Sequence, residues 1–157
     1  MTTKNEQLQF IVEEYRRADN KWPATMREVA AWAISANLWA PQPSAVIAQC
    51  AEELSRALRD EYVTDPQGRR IRTKHAATYT NDEGEQLVLW DDIRTAPADH
   101  MRRAFQQRRH QILGDCKQLK SDVDSFNQNR QPPEPIQIVF DFTLDLEEAA
   151  YLKRSAY

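Results

Sequence analysis

Glycine is scarce in this chain: three in 157 residues, Gly68, Gly84 and Gly114, each isolated from the others. No phosphate-cradling loop of the P-loop or dinucleotide type can be written with glycines so placed, which disfavours the nucleotide-cradling folds. Cysteine is as sparse, and Cys50 and Cys116 sit at apolar positions of predicted helices, where a free thiol packs as a small hydrophobe. Both are expected to be reduced and the protein cytoplasmic. The three histidines (His75, His100, His110) lack metal-ligand spacing, so neither a metal nor another cofactor is expected. No apolar run approaches the ~18 residues of a membrane span, and the N-terminal residues lead at once into a charged amphipathic segment. No membrane association and no leader are therefore expected. The length is short for an α/β barrel and suits one ordinary domain, or a small domain with an arm.

Charge is distributed in islands. The chain carries a formal −3, yet residues 62–80 hold four basic side chains against one acidic, and residues 100–131 hold seven against three. The intervening residues 81–99 hold one basic and six acidic. A mildly acidic protein has no general attraction for nucleic acid, so any phosphate contact depends on where the basic islands fall.

Hydrophobic spacing orders the elements. Leu8, Ile11, Val12 and Tyr15 predict a helix over about 4–18. Thr25-Met26-Arg27-Glu28 has capping-box spacing and opens a second helix to about Asn37, with Val29, Ala30, Ala33 and Ala36 inward. Pro41 and Pro43 force a turn. From 44 to about 60, Ile47, Cys50, Ala51, Leu54, Ala57 and Leu58 form a stripe that predicts a third helix with a buried face.

Tyr62-Val63-Thr64, the turn Asp65-Pro66-Gln67-Gly68 and the residues after Arg69 predict a hairpin. In the returning strand Ile71, Thr73, His75, Ala77 and Tyr79 share one face, with Arg70, Arg72 and Lys74 on the other. A second turn, Asn81-Asp82-Glu83-Gly84, leads to a strand at 87–90, giving a three-stranded meander. Pro97 opens a long helix reaching about Asn127. After the stiff Pro132–Pro135 segment, Ile136, Ile138, Phe140, Phe142, Leu144 and Leu146 alternate, predicting one long half-buried strand before a helical tail from Glu147. The fold class expected is α+β, in three parts: 4–94, the long helix 95–131, and an arm 132–157.

The order helix, helix, turn, helix, basic hairpin over about residues 4–90 resembles a winged-helix DNA-binding module. The resemblance implies a three-helix core, a third helix entering the major groove and a hairpin wing along phosphates. By position it places Ser44, Ala45, Gln49 and Arg56 toward bases or backbone, and Arg69, Arg70, Arg72 and Lys74 on phosphates. A glutamine amide can pair bidentately with adenine, and basic wing residues neutralise phosphate. The expected function is duplex-DNA binding with a regulatory or architectural role. The alternative is a protein-interaction or dimerisation module whose wing arginines are solvated.

On the long helix Ile112, Cys116, Leu119, Val123 and Phe126 step by four and three, a coiled-coil seam continued backward by Phe105 and interrupted by Arg109. A homodimer through this seam is expected, with the 136–146 strand as a further surface for a protein partner. Gly114 within the helix suggests close approach of another backbone. Arg102, Arg103, Arg108, Arg109 and His110 could line phosphates, though such a run is commonly a solvated face. For catalysis, Asp91 and Asp92 point to opposite faces of a strand, and Asp141 and Asp145 would lie roughly 13 Å apart on one. No activated nucleophile can be written, so no enzyme is expected; a nuclease is the weakest of the classes considered.

Overall fold

Two capping boxes start the first two helices. In the computed structural model, which describes the backbone of residues 1–155, the Thr3 hydroxyl accepts from the Glu6 amide and the Glu6 carboxylate from the Thr3 amide, opening α1 (Lys4–Arg17). Thr25 and Glu28 do the same for α2 (Met26–Ser35). Each box satisfies amides that a helix start otherwise leaves unpaired. At the far end of α2, Asn37 takes the left-handed conformation (φ 60°), its N–H bonding to Ile34 and that of Leu38 to Ala33. This is a Schellman ending with asparagine in the glycine role.

The chain divides into two compact units, residues 1–55 and 56–157. In the first, Tyr15, Val29 and Ala33 are buried, and the Tyr15 ring meets Trp32 edge-on at 5.5 Å. The Tyr15 hydroxyl donates to the Lys21 carbonyl (3.2 Å), fixing the turn after α1. Ala30 and Ala36, expected inward, are exposed. A 3₁₀ turn (Pro43–Ala45) precedes α3 (Val46–Arg59).

The stripe on α3 is not the buried face that its spacing predicts. Ile47 is 85 % exposed and Leu54 61 %, Cys50 is exposed, and only Ser55 and Leu58 are half-buried. Periodicity identifies the apolar face of a helix; it does not supply the surface that covers it.

In the second unit β1 (Tyr62–Thr64) pairs antiparallel with β2 (Arg70–Arg72), and β3 (Lys74–Thr80) with β4 (Gln86–Asp92). The expected three-stranded meander is thus two two-stranded sheets, because the returning strand changes partner at Thr73. That buried residue donates its N–H to Glu61 (3.0 Å) and accepts from Ile93 (2.9 Å). The alternation holds through the break: Thr73, His75 and Ala77 are buried, and Ile71 and Tyr79 half-buried. Both hairpin turns use one device. The Asp65 carboxylate accepts from the amides of Gln67 and Arg69, and the Asn81 side-chain oxygen from those of Glu83 and Glu85; each turn closes on a glycine at positive φ, Gly68 (87°) and Gly84 (80°).

The long helix α4 (Ala98–Arg130) follows, about 50 Å from end to end. Its first turns pack on β3, with His100, Met101 and Ala104 buried. No Cβ built at Gly114 would meet an atom within 4 Å, so the close backbone approach expected there is absent among the described residues.

Residues 136–142 form no strand and pair with none among the described residues, and α5 (Thr143–Ser155) begins where the predicted strand was to continue. The Asp141 carboxylate accepts from the Thr143 amide (3.0 Å) at the first turn of α5. Bonding to Thr143 holds the Asp141 carboxyl below the usual range. Period-two spacing persists through Leu144 and Leu146, but strand hydrogen bonds need a neighbour and helical ones do not. No helix among the described residues is long and apolar enough to cross a membrane.

Candidate nucleic-acid interface

The hairpin β1–β2 carries the basic cluster, and its register decides which side chains act together. Tyr62 lies opposite Arg72 and Thr64 opposite Arg70, so these four share one face, while Val63 and Ile71 share the other and are half-buried. The Arg70 guanidinium stands 4.3 Å from the Tyr62 ring centroid, a cation–π contact that holds it while leaving its donors free to bond outward.

The remaining two basic residues are compensated. The Arg69 guanidinium donates to Asp65 (2.7 Å), and the bonds from Arg69, its backbone amide foremost, hold the Asp65 carboxyl below its ordinary value. Lys74 donates to Glu61 (3.1 Å) and lies 3.9 Å from Asp92. Asp92 is engaged by Arg94 (2.7 Å), whose bonds push that carboxyl far below the usual range. Arg70 and Arg72 have no ion-pair partner among the described residues, so the expected four-residue grip reduces to a two-arginine face beside an exposed tyrosine.

A chain of hydrogen bonds ties the base of the hairpin to α4. The His75 ring Nε2 bonds the Arg72 carbonyl (2.9 Å), and the His100 Nε2 bonds the His75 carbonyl (3.0 Å). A carbonyl only accepts, so both rings carry their proton on Nε2; the His100 Nδ1 then accepts from the Tyr79 hydroxyl (2.9 Å). Burial depresses the His75 pKa, opposed by its bond to Arg72. Gln107 completes the join by accepting from the Thr78 N–H (2.7 Å) and donating to its carbonyl (2.9 Å), as a neighbouring strand would. None of Tyr79, His100 or Gln107 was singled out for such a role from sequence, although Gln107 falls two positions beyond Phe105 on a helix expected to pack.

Of the positions assigned to base reading, Ser44 and Ala45 lie in the 3₁₀ turn and Gln49 in the second turn of α3, and Arg56, the remaining DNA-contacting position expected on this helix, lies in its last turn. Ala45 and Gln49 line an open hollow of about 940 Å³ with Leu8, Phe10, Leu38 and Trp39. In the second basic island Arg102 pairs with Asp99 (2.7 Å) and Arg103 stacks on Tyr79 (4.5 Å); Arg108, Arg109 and His110 are exposed. Along the seam Ile112, Leu119 and Phe126 are 52 %, 44 % and 40 % exposed, Phe105 is exposed while meeting His75 edge-on at 5.4 Å, and Cys116 and Val123 are half-buried.

Among the described residues no three His, Cys, Asp or Glu side chains gather as metal ligands. No family model, curated protein or solved structure matches the chain.

Proposed function

We propose that the protein binds duplex DNA, with the β1–β2 hairpin as a wing lying against the phosphate backbone. The observation that carries the reading is the shared face of Tyr62, Thr64, Arg70 and Arg72 on a hairpin that follows three helices. Two arginines beside hydroxyl donors suit adjacent phosphates, and anchoring Arg72 through His75 and His100 reduces the ordering needed on binding. Contacts of this kind set position and affinity rather than sequence preference.

The test is a salt-titrated binding assay with random-sequence duplex. Binding should weaken with salt, and Arg70→Ala with Arg72→Ala should lower the slope of log affinity against log salt by about 0.9 for each phosphate that is no longer neutralised. Absence of binding at low salt, or an unchanged slope in the double variant, removes the wing model. Exposed Leu87, Val88 and Leu89 on β4 favour a second reading, an interaction module that holds a protein partner. It predicts that binding to duplex is lacking altogether.

A further inference from the structure

We propose that the chain forms a parallel, in-register homodimer through the distal half of α4. Ile112, Leu119 and Phe126 occupy the d positions of a heptad frame, and Cys116 and Val123 the a positions. The d residues are the most exposed large apolar side chains of this distal seam, whereas Cys116 and Val123 are half-buried. Asn127 bonds Ile136 twice, through Nδ2 to its carbonyl and through Oδ1 to its amide (2.9 Å each), so the C-terminal segment is braced on α4 while the d row stays open.

Flanking charges identify the occupant as a second copy and give its direction. In the same frame Asp115 and Asp122 are at g, and Lys120 is at e. A parallel pair sets each g residue against the e residue five positions on in its partner, so Asp115 meets Lys120 twice by symmetry. An antiparallel pairing of the two distal halves sets g against g and confronts aspartates with aspartates, which is repulsive; only a register that runs back into the half packed on β3 brings the g residue Arg108 against Asp122. Lys120 now pairs with Asp124 on its own helix (2.8 Å), an exposed contact that is readily exchanged. Arg109, at the a position before Ile112, lies between Gln107, which bonds the β3 backbone, and the distal seam. A parallel pair carries both β1–β2 hairpins at the same end of the bundle, as two half-sites of one duplex require; only this consequence rests on the nucleic-acid reading.

Cys116 reports the arrangement directly. In a parallel pair it faces its own copy across an a layer; an antiparallel pair sets it against Leu119 or Phe126. The experiment takes the full chain with Cys50→Ser, oxidises it with diamide, which accepts the hydrogens of the two thiols, and reads disulfide-linked dimer on a non-reducing gel. Sedimentation equilibrium accompanies it on the Asp115→Lys and Lys120→Asp variants and on their combination. The expected result is a dimer at tens of micromolar that cross-links through Cys116, weakens on the order of tenfold in each single variant and recovers in the double. A monomer at that concentration overturns the dimer. A dimer that neither cross-links nor recovers in the double variant overturns the parallel arrangement. Loss of DNA binding with an intact dimer would sink the wing model alone.

Discussion

The two halves of α4 are one continuous helix made in two different ways. Through its first turns it packs on β3, burying His100, Met101 and Ala104 and answering the Thr78 backbone with Gln107. From residue 110 to 130 no side chain is buried, and the helix is supported by local pairs, Gln118 to Asp122, Lys120 to Asp124 and Asn129 to Ser125, and by the two bonds between Asn127 and Ile136. Such pairs contribute about 0.2–0.5 kcal/mol each, whereas most helical stability in proteins comes from the packing of an apolar face. The proximal half therefore draws its stability from tertiary packing, while the distal half has an apolar row still to be covered.

That contrast is broken most directly by trimming one side chain from each half. Met101→Ala is expected to destabilise the protein by about 2–5 kcal/mol, the range for removing a buried methionine side chain. Leu119→Ala should change the stability of dilute protein by less than about 0.5 kcal/mol. Urea melts of both variants at low concentration measure the pair. Equal losses would mean that the distal half is packed within the chain.

A smaller effect comes from the hydrogen-bond chain that joins the proximal half to the hairpin. His100→Leu leaves the Tyr79 hydroxyl without its acceptor and takes from the His75 carbonyl, which keeps its place in the β3–β4 ladder, only its second bond, at about 1–3 kcal/mol for a polar group left unsatisfied. Tyr79→Phe takes away the hydroxyl and leaves the acceptor Nδ1 of the buried His100 unpaired, a loss of the same order. If both variants melt like the parent, the chain does not anchor the hairpin.

The link should also respond to pH. The folded pKa of His75 lies below its unfolded value near 6.5, so the neutral ring stabilises the fold fully above that value. The contribution is lost as pH falls below about 6.5, where the unfolded chain takes up the proton first. The lowered carboxyls of Asp65, Asp92 and Asp141 act further down, stabilising the fold above about pH 4 and losing that contribution as they protonate. Urea midpoints at about pH 7.5 and about pH 5.5, on either side of the ordinary histidine pKa, isolate the histidine, and His75→Gln should narrow the gap between them. A gap of unchanged width assigns the pH response to other groups.

Local chemistry was legible where the sequence contains both partners. Thr25 and Glu28, the turns ending in Gly68 and Gly84, and the inward alternation from Ile71 to Tyr79 are all present as expected. Thr3 and Glu6 carry the same capping spacing and could have been read the same way. What patterning cannot supply is the opposing surface. The stripe on α3 is exposed, and the alternation from 136 to 146 has no strand beside it among the described residues. In the hairpin, the Asp65–Arg69 pair lies within one turn and was within reach of sequence reasoning. The compensation of Lys74 by Asp92 needed the β3–β4 register, which places the two opposite each other.

The smallest predicted effect tests the distal half without touching its apolar row. Gly114 lies at an outward f position of the heptad frame, and a Cβ there would meet nothing within 4 Å. Gly114→Ala therefore removes backbone freedom from the unfolded chain without a steric penalty, a gain of about 0.5–1 kcal/mol in helix stability. In dilute protein the gain belongs to the distal half alone, because the proximal half is fixed by its packing on β3. Hydrogen exchange should accordingly slow between residues 112 and 130 and stay unchanged between 98 and 109. Uniform slowing along the whole of α4 would mean that the helix opens as one unit, and that the boundary drawn at Arg109 has no energetic meaning.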